Sequence, residues 1–250
     1  MFIKKVIPYW IIFLLILTAC SNKESTDTLE VTKMEENDHS IVKEDSKGYE
    51  LKSETFTEGN VTIQYPQIIN LTNEEKQKEI NEFIKKEALA PFLETIQSLE
   101  PDQEYEAEGY YEIKLKNNDT LSIAYYSYNY ISTAAHPYNL FFTTNIDLKT
   151  GKPLYLSNFV STIDKDFIAL LKKAKYVGSL EEEYDQQINE LAFSQYSSDE
   201  ELLSALTTND GHDYGIYVYV TEKALGIVMP VPHAAGDYAE FEIPISDLKS

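Results

Sequence analysis

Leu121-Ser122-Ile123-Ala124-Tyr125-Tyr126-Ser127-Tyr128-Asn129-Tyr130-Ile131 decides how this chain folds. β-Branched and aromatic residues run through it without a helix breaker, which predicts a long strand. Side chains alternate along a strand. Ile123, Tyr125 and Ser127 therefore share one face, and Ala124, Tyr126, Tyr128 and Tyr130 share the other. Upstream, Tyr110 to Leu115 reads as a partner strand, and Asn117-Asn118-Asp119 supplies the turn between them.

Working outward, Tyr49–Phe56 and Val61–Tyr65 alternate on either side of Gly59-Asn60 and predict a second strand pair, ended by Pro66. Thr72-Asn73-Glu74-Glu75 reads as a capping box with Thr72 as cap. The helix after it carries Ile80, Phe83, Ile84 and Leu89 at helical spacing. Pro91 should kink or interrupt it before Ser98. Downstream, Tyr138–Asp147 is a strand, and Lys149-Thr150-Gly151-Lys152 is a tight turn. Helices are expected over Asp166–Tyr176, Glu181–Phe193 with Tyr184 inward, and from Ser198-x-x-Glu201 through Leu206. Asn209-Asp210-Gly211 reads as a hairpin turn. Tyr214–Thr221, Ala224–Met229 and Asp237–Ile243 then form a meander. No βαβ series is visible. The order implies an α+β fold of mainly antiparallel sheets with packed helices, in two subdomains, residues 49–132 and 133–250.

The N-terminal segment has a different logic. Lys4 and Lys5 precede an apolar run from Val6 to Ala19, which ends in Leu17-Thr18-Ala19-Cys20. A positive start, a short apolar core and small residues before the end make a secretory signal peptide. The run falls short of the roughly 20 residues a spanning helix needs. Its end resembles the lipobox of bacterial lipoproteins. That resemblance implies removal of residues 1–19, lipidation of Cys20 and residence on the outer face of the bacterial cytoplasmic membrane. Residues 20–48, polar and acidic, read as a flexible tether. Cys20 is the only cysteine, so no intrachain disulfide and no thiol catalysis are expected.

The net charge is −21, from 42 acids against 21 bases. Removal of Lys4 and Lys5 with the signal makes it more negative still. A field of this sign excludes nucleic acid as a partner and favours basic proteins and cations. No arginine occurs, so bidentate clamps of the arginine type are unavailable.

The candidate binding residues are Tyr126, Tyr128 and Tyr130, a stripe suited to stacking on sugar rings or anchoring a protein, and His136 in the loop before Pro137. Each has a plainer reading, a half-buried strand face or a loop fixed by hydrogen bonds. His212 and His233 lie near Asp213 and Asp237, but without ligand spacing, so no metal and no cofactor are expected. Asn209-Asp210-Gly211-His212-Asp213 lacks the calcium-loop pattern. Glu240 and Glu242 share a strand face with Glu222 nearby, a coincidence expected in so acidic a chain rather than a glycosidase pair. No catalytic residues are assigned.

Four blocks stand in a familiar order: Val61-Thr62-Ile63-Gln64-Tyr65-Pro66-Gln67-Ile68, Ala134-Ala135-His136-Pro137-Tyr138, Asn145-Ile146-Asp147-Leu148-Lys149-Thr150-Gly151-Lys152 and Ala234-Ala235-Gly236-Asp237-Tyr238. With these blocks the chain resembles the extracellular part of the RsiV family of anti-sigma factors, and also the non-catalytic N-terminal part of the peptidoglycan deacetylase PdaC. In the first family this region is the receptor for lysozyme. The resemblance therefore implies a lipid-anchored envelope module for a basic, lysozyme-like protein, or else for peptidoglycan. The membrane-spanning and sigma-factor-binding parts of the first family, and the deacetylase domain of the second, have no counterpart here. The third reading, an envelope hydrolase, has only scattered histidines and acids behind it. Replacing Cys20 by Ala should release the protein from membranes into the medium, and radiolabelled palmitate should then fail to label it. Retention of both signals in the variant would refute lipidation at this residue.

Overall fold

The computed structural model describes residues 48–178 and 182–248. Cys20, the expected lipidation site, and residues 20–47 of the expected tether fall outside the described residues. The expected helix start at Glu181 does too.

Strands β1 (Glu50–Glu58) and β2 (Asn60–Ile69) form a hairpin turned by Gly59, whose φ of 57° lies in the left-handed region. β2 does not stop at Pro66. Past Ile63 its other side has no partner strand, and an edge of that kind tolerates a residue with no N–H. Helix α1 (Glu74–Ser98) follows. Its cap is Asn73, one residue later than expected. The Asn73 side chain accepts the Lys76 N–H at 2.9 Å. Nor does Pro91 interrupt α1, although an interior proline costs about 3 kcal/mol. Ile80, Ile84, Leu89 and Phe92 are buried along one face, each contributing roughly 1.5–3 kcal/mol. Together they outweigh the proline. Thr95 Oγ1 donates to the Pro91 carbonyl at 2.8 Å.

Strands β3 (Tyr105–Lys116), β4 (Thr120–Ile131), β5 (Tyr138–Asp147) and the short β6 (Lys152–Pro153) complete a six-stranded sheet in sequential order. Asn117 makes the β3–β4 turn, its side chain accepting the N–H groups of Asp119 and Thr120. β2 and β3 are parallel, joined across α1, so one βαβ unit is present that the strand pattern did not reveal. The boundary read at 132/133 falls between β4 and β5, which pair along almost their whole length. The chain passes to its second sheet only after β6.

Helices α2 (Leu156–Phe159) and α3 (Lys165–Leu171) come next. α3 is shorter than expected because Lys175–Tyr176 forms an edge strand, β7, against Phe241 and Glu242. After a 3-10 turn at Glu182–Tyr184 come α4 (Asp185–Phe193) and α5 (Asp199–Thr207). Tyr184 is exposed rather than inward. Ser198 caps α5 as its motif implies. Asn209, Asp210 and Gly211 take positive φ and lead into a 3-10 segment, not a hairpin. β8 (Tyr217–Val220), β9 (Ala224–Pro230) and β10 (Tyr238–Pro244) then make the antiparallel meander, giving a second sheet ordered β7-β10-β9-β8.

The burial pattern gives four layers. Helix α1 packs on Ile123, Tyr125, Phe142 and Ile146 of the first sheet. The opposite face, with Ala124, Tyr126 and Phe141, packs on Tyr219 and Val228 of the second. Helices α2 to α5 cover the far face of that sheet through Ile227, Ala239, Phe241 and Ile243.

A pair of hydrogen bonds ties the edge of β8 to the first sheet in a dry setting. β8 is an edge strand, and its Val218 carbonyl and Val220 N–H face the first sheet. Asn145 Nδ2 donates to the Val218 carbonyl at 2.9 Å, and the Val220 N–H donates to Ser122 Oγ at 3.1 Å. Ser122 Oγ donates to Asn145 Oδ1 at 2.6 Å, which locks the pair. Ser122→Ala would leave the Val220 N–H buried without a partner. We expect a loss of about 1–3 kcal/mol in urea unfolding, against a few tenths for an exposed serine such as Ser98.

Candidate functional site

A cleft of about 790 Å³ opens where the two sheets meet. β3 contributes Tyr110, Glu112 and Lys114, β4 contributes Tyr126, β8 contributes Tyr219, and β10 contributes Tyr238, Glu240 and Glu242. Strand alternation explains the spacing by two within β3 and β10. Lys114 has a further cause. The β3–β4 register shifts between Ile113 and Leu115, so Lys114 sits at an irregularity of the kind that re-aims a side chain.

Lys114 Nζ lies at the centre of the site. It is 3.0 Å from Glu112 Oε2 and 3.6 Å from Glu240 Oε2. It also lies 4.6 Å from the centre of the Tyr219 ring and 5.4 Å from that of Tyr126, within cation–π range. The single proton of the Tyr126 hydroxyl is shared between Glu112 at 3.2 Å and Glu240 at 3.4 Å, and the Tyr219 hydroxyl donates to Glu242 at 3.1 Å. Tyr219 lies flat over Gly226. A Cβ there would fall 2.2 Å from its ring, so only glycine fits beneath it. Tyr110 stacks on Tyr126 at 5.1 Å with a 12° tilt.

Burial and charge set the acidities. Glu240 is 8% exposed, and burial pushes its carboxyl above the ordinary value of 4.5. Glu112 adds to the rise, while Lys114 and Tyr126 oppose it. Burial, reinforced by the facing carboxylates, also pushes the hydroxyls of Tyr126, Tyr219 and Tyr238 well above the usual phenol range. These tyrosines are neutral donors at any physiological pH.

The rim is held by a further contact between the sheets. Asp237 accepts the Asn139 N–H at 2.7 Å through one oxygen and meets His233 Nδ1 at 2.8 Å through the other. Asp237 has a φ of 76°, a conformation few residues other than glycine adopt. The ring of His136 stacks on that of His233 at 5.9 Å.

The residues singled out from the sequence are dispersed. Tyr126 lies in the cleft. Tyr128, 51% exposed, borders a smaller groove of about 340 Å³, which Tyr110, Tyr126, Asn139 and Tyr238 share with the cleft. Tyr130 lies apart from both, its hydroxyl donating to the Ser132 carbonyl. His136 reaches the site only through His233. His212 is elsewhere, packed between Tyr155 and Tyr217. Glu240 and Glu242 do enter the cleft, joined by Glu112 rather than Glu222. Among the described residues no cluster of three histidines, cysteines or acids could hold a metal ion. Sequence reasoning missed Tyr110, Glu112, Lys114 and Tyr219. The alternation of Tyr110, Glu112 and Lys114 opposite Tyr126 was an available signal, whereas nothing local announced Tyr219 from the other sheet.

Residues 50–139, from β1 to the start of β5, match the family model described as deacetylase PdaC, in agreement with the likeness read from the sequence blocks. Among solved structures, a member of the DUF3298 family from Bacteroides fragilis is similar at 16% identity, covering 81% of this chain and 94% of its own, with a TM-score of 0.44. A DUF3298 family protein from Pseudomonas aeruginosa is similar at 14% identity, covering 80% and 93%, with a TM-score of 0.43. No curated protein matches.

A carboxyl whose folded-state pKa is raised lends stability only while protonated. That contribution is complete below the unfolded value and is lost as the pH rises through the folded one. Glu240→Gln keeps an acceptor for Tyr126 and Lys114 but cannot ionise. Urea unfolding of both proteins should show the variant gaining on the wild type as the pH goes from 4 to 8. A difference that is flat or falls with pH would contradict the assigned direction.

Proposed function

We propose, with the PdaC-like stretch of residues 50–139 as premise, that this chain is a lipid-anchored, non-catalytic binding module of the bacterial cell envelope that captures a basic, lysozyme-like protein. The observation that carries the proposal is the charge of the chain and of its cleft: −21 overall, with Glu112, Glu240 and Glu242 facing the single ammonium of Lys114. Such a surface steers cations in and repels nucleic acid and wall polyanions. The resemblance to RsiV-like receptors supports the same reading. A basic wall hydrolase is small, folded and cationic, and a fixed acidic surface suits it without any chemical step.

A second reading, binding of peptidoglycan, draws on a different observation. Tyr110 and Tyr128 are half exposed beside the groove that continues the cleft, and exposed tyrosine faces suit sugar rings.

Calorimetric titration with a C-type lysozyme at low and physiological salt separates the two. Saturable one-to-one binding that weakens with salt yet survives at physiological strength is expected. Heat that vanishes with salt, together with pelleting on purified peptidoglycan that is lost in Tyr110→Ala/Tyr128→Ala, would replace the first reading by the second.

A further inference from the structure

We infer that the cleft is a recognition pocket for a primary alkylammonium, and that its occupant is a lysine side chain presented by a partner protein. The inference deepens the basic-protein reading and rests on it for the source of the lysine. The chemistry of the pocket stands on its own geometry.

The cleft already holds one ammonium. Lys114 Nζ sits over two tyrosine faces and beside two carboxylates, so the walls stabilise this ion in place. Lys114 does not balance the charge around it. Glu112, Glu240 and Glu242 all face the cleft, three carboxylates against one ammonium. At the rim, Asp237 is already engaged by His233 and by the Asn139 N–H. Both ion pairs of Lys114 go to Glu112 and Glu240. Among the described residues Glu242 has no ion-pair partner, and it accepts the Tyr219 hydroxyl through one oxygen.

The surroundings of Glu242 suit a second cation of the same kind. Tyr238 lies on the same strand as Glu242, four residues before it, and Tyr110 lines the opposite wall. Toward the mouth of the cleft their rings offer apolar cover to the methylenes behind an ammonium held at Glu242. At about 790 Å³ the cleft admits a lysine side chain with room for the backbone that carries it. A neutral sugar would gain nothing from the surplus charge, and a phosphate would be repelled.

The test uses the whole chain in non-ionic detergent. The probe is a tetralysine peptide, compared with the same peptide acetylated on every ε-nitrogen and with chitotetraose. Binding is read by calorimetry. Glu242→Gln keeps an acceptor for Tyr219 while removing the charge. Tyr110→Ala removes a wall at a half-exposed position. Glu200→Gln, on the far helix α5, controls for general electrostatics. The expected result is saturable binding of tetralysine only, about tenfold weaker in Glu242→Gln and in Tyr110→Ala and unchanged in Glu200→Gln. Equal losses in Glu242→Gln and Glu200→Gln, or equal binding of the acetylated peptide, would overturn the pocket. So would chitotetraose binding in place of the lysine peptide, which would make it a sugar site. If lysozyme binds and Glu242→Gln leaves that binding unchanged, the pocket fails while the basic-protein reading stands. If tetralysine binds as expected and lysozyme does not, that reading fails and the ammonium pocket stands.

Discussion

The unpaired edge of β8 is the constraint on which the arrangement of the two sheets depends. A short edge strand carries backbone groups that must find partners or stay in water. Here they turn inward, against another sheet, where an unpaired group is expensive. Asn145 takes the Val218 carbonyl and Ser122 takes the Val220 N–H, while Ser122 and Asn145 fix each other. All of these groups are buried. The contact has direction as well as strength. Sliding β8 by one residue would carry the Val218 carbonyl and the Val220 N–H away from both side chains. It would also turn Tyr219 away from the first sheet, since alternate residues face opposite ways.

That register places the cleft. Val218 points into the core beneath the helices, and Tyr219 points at the first sheet, where it meets Ala124, Tyr126 and Phe141. Gly226 on β9 leaves the space in which the Tyr219 ring lies flat. With the ring fixed, the Lys114 ammonium has a face to rest on, and the carboxylates of β3 and β10 gather round it. At the other end, Asp237 ties the β9–β10 connection to the first residues of β5. The site is therefore a consequence of docking two sheets, and neither sheet contains it alone.

This explains which parts were legible in the sequence. Strand alternation gave β4, β8 and β10, because period-two patterning is written in neighbouring residues, while β3 and β9 were read from the turns beside them. Capping gave the start of α5 and placed that of α1 within a residue. The run through Pro91 was not legible, because tertiary burial overrode a local penalty. Lys175–Tyr176 looked helical, and only the free edge of β10 made it a strand. The parallel β2–β3 pairing and the cleft depend on contacts between residues far apart in the chain, which periodicity does not record. The blocks that carried the family resemblance point to the same boundary. Asn145, His136 and Asp237 come from three of them, and all three lie where the sheets meet.

The composition of the cleft argues against a purely structural role. Burying charges is a poor way to gain stability, because desolvation offsets most of the attraction between them. A packed apolar seam, such as the one formed by Ala124, Phe141 and Val228, would hold the sheets at lower cost. The chain instead places Glu240 there at 8% exposure, with its carboxyl raised by burial, and surrounds it with tyrosines that stay protonated. Lys114 offsets only part of the negative charge. Fixed acceptors, neutral aromatic donors and an uncompensated negative field, open to solvent on one side, make an environment suited to a cation arriving from outside.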